Sequence, residues 1–412
     1  MRKHGAGRGI VYLMTGTVGG QFITLAGLPV LSRLYSPDEF GHYSFIVALA
    51  GVAISVATFR LDAAAMLPTS THQVRALVWL SLSSALLVSV LFAISLHVFS
   101  ELEMFGLHEY PFLAVWVGAF TLSGALFGLF SQLSLRKRQY GLVARRSFLR
   151  ASVSTASQAA MGVGPSRISG GLLFGGLIGQ LVGIASMVRS TRDLSAFPDL
   201  RQLRPALRRY WRFPAVFAPS ALLNTLGLQA PLIFVTAYFG VAAGGQLGIA
   251  ERAVAIPVTL VGTTVGQVIE AEVAKHTREG GGGLRSTYLR FSLLLSLAGI
   301  AVAAGGSALG GVLVPWAFGS DWDLAGVMVQ IIAVNAGVRL LVSPLSKFLV
   351  VLQQSLAVTL LDILRVCAMG AAIWATVSYE HDLTTALWLI YSALTFTYIV
   401  TWLYGFWIVG KK

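Results

Sequence analysis

The sequence predicts an all-α integral membrane protein of twelve transmembrane helices in two six-helix bundles, with both termini cytoplasmic. Three observations predict it. Twelve apolar runs approach the roughly 20 residues that cross a bilayer as a helix. The gaps between them alternate between basic and acidic, as orientation signals do. The composition, 56% hydrophobic and 11% charged, lies far from the roughly 25% charged residues of soluble domains. With a mean hydropathy of +0.75, a soluble fold would leave large apolar patches exposed to water.

The runs fall near residues 9–32, 43–66, 76–99, 111–135, 142–162 and 170–189, then 213–238, 244–269, 287–316, 324–350, 355–377 and 384–409. The first is longer than a signal-peptide core and has no small-x-small cleavage site before its polar end, so it reads as a retained helix. Arg145, Arg146 and Arg150 enter the fifth run, and Pro214, Pro219 and Pro231 interrupt the seventh. Residues 191–212 are the longest polar interval and read as a basic cytoplasmic linker between an N-terminal bundle, 1–190, and a C-terminal one, 213–412. Weak internal similarity supports two halves related as a parallel repeat. The segment from Arg33 through Phe40-Gly41 to Tyr43 resembles that from Ala237 through Phe239-Gly240 to Gly248, and Phe105-Gly106 matches Phe318-Gly319. Glycines such as Gly171, Gly175 and Gly179 read as close-packing positions between helices.

With the N-terminus inside, most of the 30 Lys and Arg lie in inner segments and adjoining helix ends. The outer segments hold only Arg33 and Arg167, and carry acids instead, including Asp38, Glu39, Glu103, Glu109, Asp321, Asp323, Glu380 and Asp382. A miscounted helix would invert this alternation. The net charge of +13 therefore reads as orientation rather than as nucleic-acid binding, which places its basic residues on one face of a polar domain. The single cysteine, Cys367, allows no internal disulfide, and the sequence offers no Cys/His metal cluster, no cofactor motif and no phosphate-binding G-x-x-x-x-G-K-[ST] loop. The glycine run 280–283 follows no strand and reads as a flexible linker.

Charges inside the spans are the candidate functional residues, because a mid-membrane Arg or Asp costs about 2.5–3.5 kcal/mol on insertion scales. Arg60, Arg150, Arg252, Arg339, Lys347 and Arg365 qualify, with the acids Asp62, Glu251 and Asp362 and, near a helix end, Glu270. Asn335, Arg339, Ser343 and Lys347 recur every fourth residue and form one polar stripe, with Pro344 expected to kink the helix beside it. Arg146, Arg150, Ser154 and Gln158 form a second stripe. Two such stripes point to a wet, anion-friendly cavity; snorkelling to the interface is the competing reading, strongest for Arg146 and Lys347. Arg60 and Asp62, two apart, cannot face each other on a straight helix, whereas Asp362 and Arg365 can neutralise each other across one turn.

Several motifs resemble a known family. Leu34-Tyr35-Ser36-Pro37-Asp38-Glu39-Phe40-Gly41 resembles the L-[YF]-x-P-x-E-F-G segment of Wzx-like polysaccharide repeat-unit (O-antigen) flippases, in the multidrug/oligosaccharidyl-lipid/polysaccharide (MOP) superfamily. Arg60 to Pro68 resembles that family's R-Y-E-x-A-I-x-L-P, with Leu61 and Asp62 replacing Tyr and Glu. Asn224, Pro231, Phe239-Gly240, Gly244-Gly245, Arg252, Pro257, Phe318-Gly319-Ser320-Asp321-Trp322 and Val342-Ser343-Pro344-Leu345-Ser346 continue the resemblance in order along nearly the whole chain.

The resemblance implies a MATE-like fold and a transport role, in which an undecaprenyl-pyrophosphate-linked oligosaccharide crosses the bacterial inner membrane by alternating access, for surface polysaccharide synthesis. Its implied partners are the lipid-linked substrate, the bilayer, and a polysaccharide polymerase with chain-length machinery. Arg60, Arg150, Arg339 and Lys347, with Asn335, Ser343, Arg146 and Arg252, are the expected head-group residues; Asp62, Glu251, Asp362 and Arg365 are expected to couple ions or pair structurally. Within the superfamily, a drug/cation antiporter would need acids to dominate the spans, and a peptidoglycan lipid flippase is the other alternative. A polyprenyl-linked glycosyltransferase or a polymerase would need a sizeable outer loop with catalytic acids or bases, and the expected outer loops are short. A non-transporting scaffold would tolerate changes at the buried charges.

Overall fold

A computed structural model describes residues 4–102, 110, 112–163, 170–278, 283–352 and 354–411. Glu103, Glu109, Arg167, the Phe105-Gly106 pair, most of the glycine run and the side chain of Glu270 lie outside the described residues. Fifteen α-helices follow in order: α1 (His4–Leu34), α2 (Pro37–Ala57), α3 (Leu61–Ala64), α4 (Thr71–Glu101), α5 (Leu113–Arg136), α6 (Tyr140–Gly162), α7 (Gly171–Ser190), α8 (Leu203–Arg209), α9 (Ala218–Phe239), α10 (Val241–Arg278), α11 (Leu284–Phe318), α12 (Asp323–Leu345), α13 (Lys347–Val351), α14 (Ser355–Ser378) and α15 (Leu383–Gly410). Among the described residues, helix fills most of each of the twelve expected intervals. Among the described residues, nine helices are long and apolar enough to cross a membrane, and Val18–Leu34 is a shorter apolar helix. Long helices suit this solvent because they satisfy their own backbone hydrogen bonds where no water can.

The chain forms two compact units, residues 1–245 and 246–412, and the boundary falls early in α10. α9 lies with the first unit, along α2. The segment linking α1 to α2 shows why. Ser36 caps α2 through a capping box: Glu39 N–H donates to Ser36 Oγ, and Ser36 N–H donates to the Glu39 carboxylate at 2.9 Å. Pro37 occupies the first turn, where its missing N–H costs nothing. Gly41 then lies against the backbone of Val241, and Gly245 against that of Pro37; a Cβ at either would strike a carbonyl oxygen. The two similar sequence segments therefore pack on each other within the first unit.

Two expected spans differ from the helices observed. The run 43–66 is not one helix. α2 stops at Ala57, and the chain turns through Phe59 and Arg60, both left-handed (φ 47° and 58°), before α3. Such backbone is uncommon for residues other than glycine. Thr58 secures the turn by donating its hydroxyl hydrogen to the buried Asp62 carboxylate (2.7 Å). The run 324–350 divides at Ser346 into α12 and α13. Pro344, which has no amide hydrogen for the preceding turn, lies two residues before this break.

Residues 191–212 fold against the first unit. Leu194, Ala206 and Tyr210 are buried with Leu77, Leu133 and Met187. Trp79 Nε1 donates to the carbonyls of Ser195 (3.2 Å) and Ala196 (3.1 Å), and Arg75 Nε to that of Asp193 (2.8 Å). Lys137 donates to the Asp193 carboxylate, holding its pKa below the ordinary aspartate value. In the second unit, α11 and α12 approach through small residues, Gly299 on Gly337 and Gly310 on Gly326.

Candidate functional site

The second unit gathers polar side chains from three helices. Glu251 of α10 accepts a hydrogen bond from the Tyr391 hydroxyl of α15 at 2.7 Å. Arg339 of α12 and Arg252 lie within electrostatic reach of the same carboxylate. One turn along α12, the buried Asn335 donates through Nδ2 to Thr395 Oγ1 at 3.0 Å and to the Tyr391 carbonyl at 3.4 Å. Thr395 in turn donates to that carbonyl at 2.7 Å. Position 335 thus ties α12 to α15, and Glu251 ties α10 to α15. A carboxyl and guanidinium groups brought together among apolar helices can balance one another's charge, with the phenol hydrogen-bonded to the carboxyl. An anion arriving at Arg339 would compete with Glu251 for it.

The other residues of that stripe fare differently. Ser343 is exposed, and its carbonyl accepts a hydrogen bond from Ser346 Oγ at 2.7 Å. Lys347 is half-buried and opens α13, beyond the break, so it does not continue the α12 face as a straight helix would. Asp362 and Arg365 pair within α14 at 3.3 Å, both buried, and the Arg365 guanidinium lies over the Tyr398 ring of α15 at 5.0 Å. The opposite charges of this pair neutralise each other across one turn.

In the first unit, the α6 stripe faces α7. Gly175 lies on Gln158, Gly179 on Ser154 and the Arg150 carbonyl, and Gly183 on the Arg150 Cβ. Gln158 is buried, donating through Nε2 to the Leu172 carbonyl at 2.8 Å, while its own carbonyl accepts from the Tyr35 hydroxyl at 2.7 Å. The Arg150 guanidinium lies over the Phe127 ring of α5 at 4.4 Å, a cation–π contact. Arg146 has its Nε enclosed with no hydrogen-bond partner among the described residues. Arg60 is exposed at the left-handed turn rather than inside a continuous helix, and Asp62 is held by Thr58 rather than by Arg60.

Tyr391 and Thr395 are the members that sequence reasoning missed. A neutral residue in an apolar run carries no insertion penalty to draw attention, although their four-residue spacing does put both on one face of α15. Among the described residues, no three His, Cys, Asp or Glu gather as metal ligands.

A family described as "Polysaccharide biosynthesis protein" matches residues 30–326, well over half of the chain. The chain belongs to this polysaccharide biosynthesis family. Teichuronic acid biosynthesis protein TuaB of Bacillus subtilis (strain 168) is 24% identical over 212 residues, covering 52% of this chain and 42% of that protein. Succinoglycan biosynthesis transport protein ExoT of Rhizobium meliloti (strain 1021) is 25% identical over 353 residues, covering 81% of this chain and 66% of that protein. The matched regions thus span less than two thirds of either relative. Among solved structures, the lipid II flippase MurJ in an inward closed conformation superposes with a TM-score of 0.74 at 12% identity, covering 98% of this chain and 87% of that one. An inward-facing multidrug resistance MATE family transporter of the MOP superfamily gives 0.63 at 15% identity, covering 97% and 95%. This family member therefore has the fold of MOP transporters and is a multi-pass membrane protein.

Proposed function

We propose that the protein is a flippase that carries a polyprenyl-pyrophosphate-linked oligosaccharide from the cytoplasmic to the outer leaflet of a bacterial inner membrane. The observation that carries this reading is a polysaccharide-biosynthesis sequence on a transporter fold. Twelve helices cross the bilayer with both termini inside, the halves 1–190 and 213–412 give alternating access, and residues 191–212 stay on the cytoplasmic side. The protein performs no covalent chemistry. Arg339, beside Glu251, Tyr391 and Asn335, is the principal contact for the anionic pyrophosphate. Arg150, Arg146, Arg60, Arg252 and Lys347 supply the remaining positive charge, which draws the head group in from the cytoplasm. Glu251 balances Arg339 when no substrate is bound. On the outer side the repeat unit passes to a polymerase and its chain-length machinery.

Deleting the gene in its host and labelling the lipid-linked oligosaccharide tests this reading. Complete repeat units should accumulate on the cytoplasmic leaflet and be relieved by the wild-type gene. Incomplete repeat units, or complete ones that cross normally and stay unpolymerised, would overturn it in favour of an enzyme.

A further inference from the structure

A cavity of about 400 Å³ opens in the first unit where four helices end: the C-terminus of α1 and the N-termini of α2, α5 and α7. This volume falls within the roughly 300–1,000 Å³ of small-molecule sites. Its walls are largely aromatic, with Ile46, Leu172 and Leu173 among them. Trp116 and Phe174 meet edge to face at 4.7 Å, and His42 meets Tyr110 in the same manner at 5.1 Å. Tyr35 forms a further wall, fixed by its hydrogen bond to Gln158 and given room by Gly171, where a Cβ would strike its hydroxyl. Glu39 adds a carboxylate, held in place by the capping box at the start of α2.

We propose that this cavity is a saccharide-binding subsite for a neutral or amino-sugar ring of the transported oligosaccharide. The proposal rests on the flippase reading, whose topology puts these helix ends on the outer side. Sugar rings present C–H faces that stack on aromatic plates and hydroxyl edges that donate to carboxylates. Rigid, amphipathic rings give such contact area at low conformational-entropy cost. An acyl chain would have no use for Glu39 and His42, and a phosphate or a uronate would be repelled by Glu39. The position at helix ends, not along a helix flank, also suits a head group in water. The subsite receives the sugar after crossing and holds it until release.

The test uses the full chain in phospholipid nanodiscs free of glycoside detergent. The probe is the free oligosaccharide released by mild acid from the host's lipid-linked repeat unit, read by saturation-transfer NMR. Wild type should transfer saturation to sugar protons. Trp116→Ala should weaken binding about tenfold, the scale of one aromatic face, and Trp116→Phe should restore most of it. Glu39→Gln keeps a capping acceptor and should weaken binding without loss of helix, which keeps the proposal testable if Trp116→Ala fails to fold. Absence of transfer to wild type, or binding unchanged in both Trp116→Ala and Glu39→Gln, overturns the subsite. So does native mass spectrometry showing a phospholipid released by Trp116→Ala with no sugar bound. Repeat units that still require this protein to cross, with no sugar binding here, would sink the subsite alone; units that cross without it would sink the transport reading.

Discussion

Arg146, Arg150, Ser154 and Gln158 recur every fourth residue along α6, as Asn335, Arg339 and Ser343 do along α12. The α6 face meets the small residues Gly175, Gly179 and Gly183 of α7, so Gln158, Ser154 and the Arg150 backbone are taken up by close helix packing, while the Arg150 guanidinium lies over an aromatic ring. The α12 face meets polar groups on two other helices, Glu251 of α10 and Tyr391 and Thr395 of α15. Identical spacing thus defines a face without defining its use. The neighbour decides: glycines opposite a stripe draw backbones together, and hydrogen-bonding groups opposite a stripe build a network.

The predictions separate these uses, beginning with the largest effect. Asp362–Arg365 is the internal reference, a buried pair that serves neither stripe. Arg365→Ala leaves Asp362 buried and unpaired, and should destabilise the protein by about 3–5 kcal/mol in a reversible unfolding assay in detergent. Replacing both by apolar residues of similar volume should recover most of that loss. Next, Gly179→Leu should cost about 3 kcal/mol, the upper end for overpacking, because the new side chain meets the Arg150 carbonyl and Ser154 backbone. A neutral outcome would mean that α6 and α7 are not closely packed. Tyr391→Phe removes one hydrogen bond from Glu251 and should cost about 1–2 kcal/mol in the same assay, with slower export.

The smallest effect is in pH. The Lys137 hydrogen bond lowers the folded-state pKa of Asp193. A depressed carboxylate contributes stability that is complete above its unfolded pKa, about 3.9, and is lost as pH falls through its folded value. Docking of residues 191–212 should therefore hold through neutral and mildly acidic pH and loosen only in stronger acid. Asp193 is largely exposed, so solvent screening limits the gain to about 0–1 kcal/mol. Limited proteolysis of this segment across pH, wild type against Asp193→Asn, would read it.

Much of the helical layout was legible because long apolar runs have strong sequence signals, and Pro344 lies two residues before the break at Ser346. The turn at Phe59 and Arg60 was not legible, since neither glycine nor proline marks it and the apolar composition continues past it. Residues 191–212 read as a basic linker because their arginines dominate the composition. Leu194, Ala206 and Tyr210, which anchor the segment, are too widely spaced to form a periodic pattern. At the candidate site, charge pointed to Arg339 and Glu251, but which helices meet there depends on packing distant in sequence. Tyr391 and Thr395 consequently emerged only from the structure.

The central claim is that the α12 face of the second unit handles substrate. Its most direct test measures appearance of labelled lipid-linked repeat units in the outer leaflet of cells carrying Arg339→Gln or Ser154→Ala at equal protein level. The account predicts loss of outer-leaflet product with Arg339→Gln and near-normal export with Ser154→Ala. Normal export with Arg339→Gln would contradict it.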